Sequence, residues 1–211
     1  LDPSEKAVDF VCSTVKSIPQ LAERVYNIKG TADNINSLGV PISANMVIVN
    51  SVAQYFPSLD YLLKIIDDLV QLKTARTIFF GDIRSYALFR EFQVTRALHV
   101  AGDAATEDEI RQMMVSKDQV ELELLVDPAF FTSLVDRFPG IVEHVEILPK
   151  RMKSTNELSA YRYAAVVHLK DLSQTAQPLQ VYDIQKEGWI DYSGRQLNRQ
   201  SLLQLVQDSF F

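Results

Sequence analysis

The chain has 211 residues, 47% of them apolar, with a formal net charge of −6 and acidic and basic residues interspersed, which suits one sizeable hydrophobic core and argues against a nucleic-acid surface. Cys12 is the single cysteine, excluding an internal disulfide framework and a cysteine-rich metal site, and its apolar neighbours mark it as a buried thiol. No apolar run approaches the roughly 20 residues of a membrane span and no charged-then-apolar leader opens the sequence, so a soluble, cytoplasmic chain without a membrane partner is expected.

Asp2-Pro3-Ser4 reads as the end of a strand already under way, as in a piece of a longer polypeptide. Ser4 can cap a helix in which Ala7, Val8, Val11 and Val15 recur at helical spacing down to Pro19. A short helical or looping approach over 20–24 leads to a predicted strand at Val25 to Lys29. Gly30-Thr31-Ala32-Asp33 then turns the chain, the glycine being free to take positive φ. Residues 34–45 form a short helix or loop before Met46-Val47-Ile48-Val49, an apolar run that predicts a strand buried on both faces. The polar pair Asn50-Ser51 marks where this strand leaves the core. In an open α/β sheet, ligands bind beyond the carboxyl ends of the strands, so chemistry is expected there; the alternative is that Asn50-Ser51 merely closes the strand and caps the next turn.

After Pro57-Ser58, the apolar residues Leu62, Leu63, Ile65, Ile66, Leu69, Val70 and Leu72 predict an amphipathic helix. Arg76 to Gly81 is the next strand, with Asp82 at its carboxyl end. Residues 85–138 are too long for a simple strand-to-helix connection and hold three helical runs, at 85–101, 106–115 and 127–138, with Thr106 and Asp127 as N-caps. Such a helical insertion could form a lid over the strand ends. Its acidic middle, from Glu107 to Glu123, contains no histidine and reads as a solvated face rather than a metal site. Val142 to Leu148 and Tyr161 to Leu169 read as strands joined by a polar loop without a helix, hence an antiparallel pair at a sheet edge. Beyond Asp171 come a linker-like stretch, a short strand or turn near Val181, the single Trp189 and a final helix over Arg199 to Gln207. The alternation predicts an α/β fold of three layers.

Five blocks carry more than this pattern: Leu1-Asp2-Pro3-Ser4, Asn50 through Pro57, Phe80 through Ser85, Leu125 through Phe131, and Leu148 through Met152 followed by Thr155 through Tyr163. Together with Trp189-Ile190-Asp191, they resemble the N-methyltransferase domain embedded in nonribosomal peptide synthetases, most closely the fungal cyclodepsipeptide type. The resemblance spans nearly the whole chain. It implies a Rossmann-like class I methyltransferase fold over residues 1–170, with the helical insertion at 85–138, and a C-terminal extension over 171–211 leading back to the host synthetase. It also implies that this chain is truncated at its amino end, lacking the central first strand and the glycine-rich loop of such domains. Buried backbone groups left unpaired by that gap would cost about 1 to 3 kcal/mol each, so the isolated chain is expected to bind cofactor poorly.

The implied cofactor is S-adenosyl-L-methionine, with no metal. Asp2 matches the acidic residue that holds the ribose hydroxyls; a carboxylate suits that task because charge-assisted hydrogen bonds are the stronger ones. Thr31, Ala32 and Asp33 match the turn bordering the adenine, and Asn50, Ser51 and Val52 fall beside the methionine part. The implied reaction methylates the α-amine of an aminoacyl thioester held by a phosphopantetheine carrier protein domain, within a synthetase that also supplies a host adenylation domain. For it, Asn50 and Tyr55 would orient the amine and Glu157 would accept or hold its proton. Glu157 could equally be a turn carboxylate paired with Lys153 or Arg162, and Asp82 could pair with Arg84. Two further readings stand beside this one: an inert, methyltransferase-like spacer or docking module, and a nicotinamide-dependent enzyme, for which the chain has no glycine fingerprint.

Overall fold

The structure is a computed structural model and describes residues 1–37, 43–102, 105–118, 121–154, 156–170, 198, 200–202 and 204–205. The chain forms two compact units, residues 1–172 and 173–211. In the second, residues 200–202 and 204–205 are helical, and the Asn198 side chain accepts the N–H groups of Gln200 and Ser201 at 3.0 Å. The predicted linker, the element near Val181 and Trp189 lie outside the described residues.

In the first unit, helix α1 (Glu5–Lys16) starts as expected, with the Ser4 hydroxyl accepting the Ala7 N–H at 3.3 Å. Cys12 on it is half-buried rather than buried. Helix α2 (Pro19–Ala22) follows. The strand predicted at Val25 to Lys29 shrinks to one parallel bridge between Lys29 and Asp2, because no further described strand pairs with either side and an isolated two-stranded ribbon is marginal. Gly30 does not take positive φ; the chain turns instead into a 3₁₀ segment, Ala32–Ser37.

The main sheet holds strands β1 (Met46–Asn50), β2 (Thr77–Ser85), β3 (Leu125–Val126), β4 (Val142–Pro149) and β5 (Arg162–Leu169). Their order is β1-β2-β5-β4, with β3 pairing to β2. β1 and β3 run parallel to β2, and β5 runs antiparallel to both β2 and β4. The expected α/β class and antiparallel pair are therefore present, and the mixed open sheet with its helices is compatible with a Rossmann-like fold. Between β4 and β5 the chain also makes a one-turn helix, α8 (Glu157–Ala160), where a plain loop was expected; a reciprocal capping box between Asn156 and Ser159 closes it.

Helix α3 (Leu59–Gln71), capped by Ser58, buries Leu62, Ile65, Ile66, Leu69 and Val70 in one cluster with Ile78, Phe80, Phe131, Leu134 and Val167. The insertion provides α4 (Phe89–Ala101), α5 (Glu107–Asp118), α6 (Pro128–Thr132) and α7 (Leu134–Arg137). Asp127 caps α6 as predicted, accepting the Ala129 N–H at 2.8 Å, and the Thr106 hydroxyl accepts the Glu109 N–H at 3.3 Å. Sequence periodicity missed β3, which is too short to carry a pattern. No helix among the described residues is long and apolar enough to cross a membrane.

Two strands differ from expectation. β1 is not buried on both faces: Met46 is 49% and Ile48 63% exposed, since among the described residues β1 pairs with β2 alone. β2 runs four residues past Gly81, with an irregularity between Phe80 and Ile83, because Ile83 and Arg84 still find partners in Tyr163 and Arg162 of β5. Tyr163 then ties the sheet to the insertion through its O–H, which donates to the Val126 carbonyl at 3.0 Å. Burial, with a smaller contribution from Asp127, pushes this phenol far above its ordinary value, so it remains a donor. Tyr163→Phe removes one of the two hydrogen bonds that this carbonyl accepts, leaving the one from the Tyr86 N–H at 3.2 Å, and is expected to lower stability by about 0.5 to 1.5 kcal/mol, read as a fall in urea midpoint with an unchanged m-value.

Candidate functional site

The backbone is unusual just past the end of β1 and at the irregularity within β2. Ser51 (φ 57°) and Asp82 (φ 64°) are both left-handed without being glycine, a conformation that costs an ordinary residue roughly 1 to 2 kcal/mol. They face one another: the Asn50 amide donates to the Ser51 hydroxyl at 3.1 Å, and that hydroxyl donates to Asp82 Oδ2 at 3.2 Å. Gly81, paired in register with Asn50, makes this possible. A Cβ on Gly81 would stand 2.0 Å from Asn50 Oδ1 and 2.6 Å from Phe79 Cε1, so the Asn50 side chain lies in space that only glycine leaves open.

From Asp82 a network of charges spreads through four segments. Lys150, at the end of β4, donates to Asp82 Oδ1, and Arg162 donates to Oδ2 at 3.2 Å. Arg162 also binds Glu157 at 2.8 and 3.0 Å and Glu123 at 3.4 Å. Arg84 pairs with Glu121 at 2.6 Å and Glu123 at 3.2 Å, while its guanidinium stands 5.1 Å from the centre of the Phe92 ring. Both arginine side chains are at least nine-tenths buried, which planar, multiply bonded guanidinium groups tolerate. Burial alone would raise the Asp82 carboxyl, but the Lys150 hydrogen bond and the Arg162 charge outweigh it and hold the group below its ordinary value.

Three expectations change here. Asp82 and Arg84 do not pair with each other; the bulge turns them to different partners. Glu121 and Glu123 are not part of a solvated acidic face, since the buried arginines draw them in. Glu157 is the ion-pair partner of Arg162, the alternative left open above. Lys150, Arg162, Glu121 and Glu123 were missed as site residues; only their place inside the similar blocks, or two to four residues before one, could have singled them out.

The other candidates occupy several places. Asn50, Ser51 and Val52 follow one another at the end of β1, Val52 exposed, and Tyr55 is 71% exposed in the 3₁₀ turn Ala53–Tyr55. Beside Tyr55, the buried Gln54 side chain leaves its Oε1 without a hydrogen-bond partner among the described residues. Asp2 is exposed, its Oδ1 accepting the Ser4 N–H at 2.8 Å. Thr31 donates to Asn34 at 2.6 Å, Ala32 packs against the core, and Asp33 accepts the Tyr61 hydroxyl at 3.0 Å. Hydrogen bonds from Thr31 and Tyr61 hold the Asp33 carboxyl below its ordinary value. No group of three or more potential metal ligands occurs among the described residues.

Two substitutions test this geometry. Asp82→Asn keeps a residue type that tolerates left-handed backbone while removing the charge, and is expected to cost about 2 kcal/mol at pH 7. Because the folded carboxyl is depressed, the difference is complete above the unfolded value of roughly 3.9 and fades as pH falls below it; urea titrations at several pH values read both. Gly81→Ala is expected to cost about 1 to 3 kcal/mol through overpacking. In an Asn50→Ala background that cost falls by at least about 0.5 kcal/mol, which a double-mutant cycle measures.

No family model matches the chain. It is 53% identical over 209 residues to the nonribosomal peptide synthetase TES of Alternaria alternata, an alignment covering 99% of this chain and 4% of that relative. It is 50% identical over 208 residues to peramine synthetase ppzA of Metarhizium rileyi, covering 99% of this chain and 7% of the relative. With the beauvericin nonribosomal cyclodepsipeptide synthetase of Beauveria bassiana it shares 45% identity over 207 residues, 98% of this chain and 6% of the relative. The chain therefore spans a small part of each relative, and over nearly its whole length it is homologous to one segment of fungal nonribosomal peptide synthetases.

Proposed function

We propose that the chain is the core of an S-adenosyl-L-methionine-dependent N-methyltransferase domain, which methylates the α-amine of a carrier-protein-bound aminoacyl thioester during nonribosomal peptide synthesis. One observation carries the reading. Four of the five blocks that resemble such domains are far apart in sequence yet meet at one end of the sheet: Ser51 with Asp82, Ser85 with Tyr161 and Val126, and Asp82 with Lys150. That end is where the open α/β sheet binds ligands. The cluster there sets the four carboxylates Asp82, Glu121, Glu123 and Glu157 against the three cations Arg84, Lys150 and Arg162. One excess negative charge favours a cationic donor and an ammonium acceptor.

The donor set also suits the cofactor. The Asp2 carboxylate, exposed at the end of its bridge, would accept the ribose hydroxyls. Thr31, Ala32 and Asp33 would border the adenine, and Asn50, Ser51 and Val52 the methionine part. When bound, the cofactor would supply an electrophilic methyl group on a sulfonium. Among the described residues β1 pairs with β2 alone and Ile48 is exposed, so its other edge leaves room for a further strand. The carrier protein and adenylation domains of the host synthetase are the proposed partners.

The acceptor amine must be neutral to attack. An α-amino group titrates near roughly 7.7 to 8.0, so no strong base is required. Asn50 and Tyr55 would orient the nitrogen, and alignment alone can contribute up to roughly 7 to 11 kcal/mol. Glu157, held by Arg162 at 2.8 and 3.0 Å, would hold the amine.

Titration of S-adenosyl-L-methionine into the parent synthetase module, beside this chain alone, tests the reading: the module binds and the isolated chain binds much more weakly. Binding by neither supports an inert spacer instead. In the active module, Asn50→Ala is expected to lower the methylation rate about 10²-fold or more through lost orientation. Glu157→Gln removes a negative charge near the ammonium, so the acid limb of the pH–rate profile moves to lower pH while the plateau stays within about tenfold; a plateau loss of 10²- to 10⁴-fold would mark a general base.

A further inference from the structure

Beside the segment that carries Tyr55, the structure has an open cleft of about 570 Å³, within the roughly 300 to 1000 Å³ usual for small-molecule sites. Phe56, Pro57, Tyr86, Phe89, Leu122 and Leu124 line it. Its two acidic residues, Glu121 and Glu123, are engaged by Arg84. Its backbone donors are largely spent as well. The N–H groups of Phe56, Tyr86, Phe89, Glu123 and Leu124 bond to Ala53, Val126, Tyr86, the Glu121 side chain and Gln54, and Pro57 has none. The walls thus offer apolar side chains and few free backbone donors. Leu122 is 91% and Tyr86 63% exposed, so a ligand could remove much apolar area from water here.

We propose that this cleft receives the side chain of the acceptor aminoacyl group and selects aromatic or branched aliphatic ones. The inference rests on the methyltransferase reading above. An α-amine and its side chain leave the same carbon, so an amine held at Asn50 and Tyr55 sends its side chain only a short way. The cleft begins at Phe56, the next residue after Tyr55, and its opposite wall is fastened to the same turn by the Leu124 N–H on the Gln54 carbonyl at 2.7 Å. The pantetheine arm is the poorer occupant, because its two amide carbonyls require donors and the backbone N–H groups of the lining are largely engaged.

The test is methylation of a series of aminoacyl pantetheine thioesters by the parent synthetase module, wild type and Leu122→Glu. Leu122 is exposed, so the replacement leaves folding unaffected. Phenylalanyl and leucyl acceptors are expected to exceed aspartyl and lysyl ones in kcat/KM by about tenfold or more, the scale on which apolar pockets discriminate. Leu122→Glu is expected to remove about tenfold for the apolar acceptors through KM, with the Kd for S-adenosyl-L-methionine unchanged. Equal rates for all acceptors, or indifference to Leu122→Glu, overturn the cleft's role while leaving methylation intact. A uniform loss for every acceptor, with free pantetheine inhibiting wild type and not the variant, gives the cleft to the arm and also overturns it. Absence of both cofactor binding and methylation removes the functional reading itself, and this inference with it.

Discussion

The Ser51–Asp82 contact is the constraint on which the rest of the candidate site depends. Both residues hold a backbone that their side chains disfavour, and both do so where adjacent parallel strands leave register. The bulge aims Asp82 at Lys150 and Arg162 and leaves Arg84 to turn toward Glu121 and Glu123. Without it, alternation along β2 would direct Asp82 and Arg84 to one face, and the carboxylate would meet the guanidinium two residues away. Strain of this kind persists only where surrounding interactions over-determine it. Here the charge-assisted bonds from Lys150 and Arg162, with the Ser51 hydroxyl, do so.

The network makes one rigid floor from segments that share no local sequence. Arg162 joins the bulge of β2 to α8 and to the approach to β3. Tyr163, the next residue, reaches the opposite way to the Val126 carbonyl. Buried ion pairs of this type add little net stability compared with apolar packing, but breaking one partner leaves the others uncompensated. Such an arrangement suits positioning. A donor and an acceptor brought over the ends of β1 and β2 would meet groups already fixed in place.

Much of this was legible in the sequence, for stated reasons. Helix α3 carries an unbroken apolar stripe, β5 a compact apolar run, and Ser4, Ser58 and Asp127 are cap residues at the starts of periodic segments. Asn50 and Ser51 stood out as polar residues ending an apolar strand, and their side chains bond onward to Asp82, where the ion network begins. The strand at Val25 to Lys29 and the burial of β1 failed because propensity says nothing about whether a neighbour is present to pair with or cover a strand. Apart from Glu157 and Arg162, five residues from each other, the ion network was illegible because its partners lie 31 to 80 residues apart and no spacing rule connects them. The two-residue β3 escaped for a related reason: only the end of β2 makes it a strand.

The central claim is that the ends of β1 and β2 form the place where a one-carbon donor meets an amine. Mass spectrometry of the carrier-bound aminoacyl group, after incubating the parent module with methyl-labelled S-adenosyl-L-methionine, addresses it most directly. The account predicts one labelled methyl on the α-nitrogen, formed by the wild-type module and strongly diminished when Asn50 is replaced by alanine. Label on oxygen or carbon instead, or labelling of nitrogen that persists undiminished in the Asn50→Ala module, would contradict it.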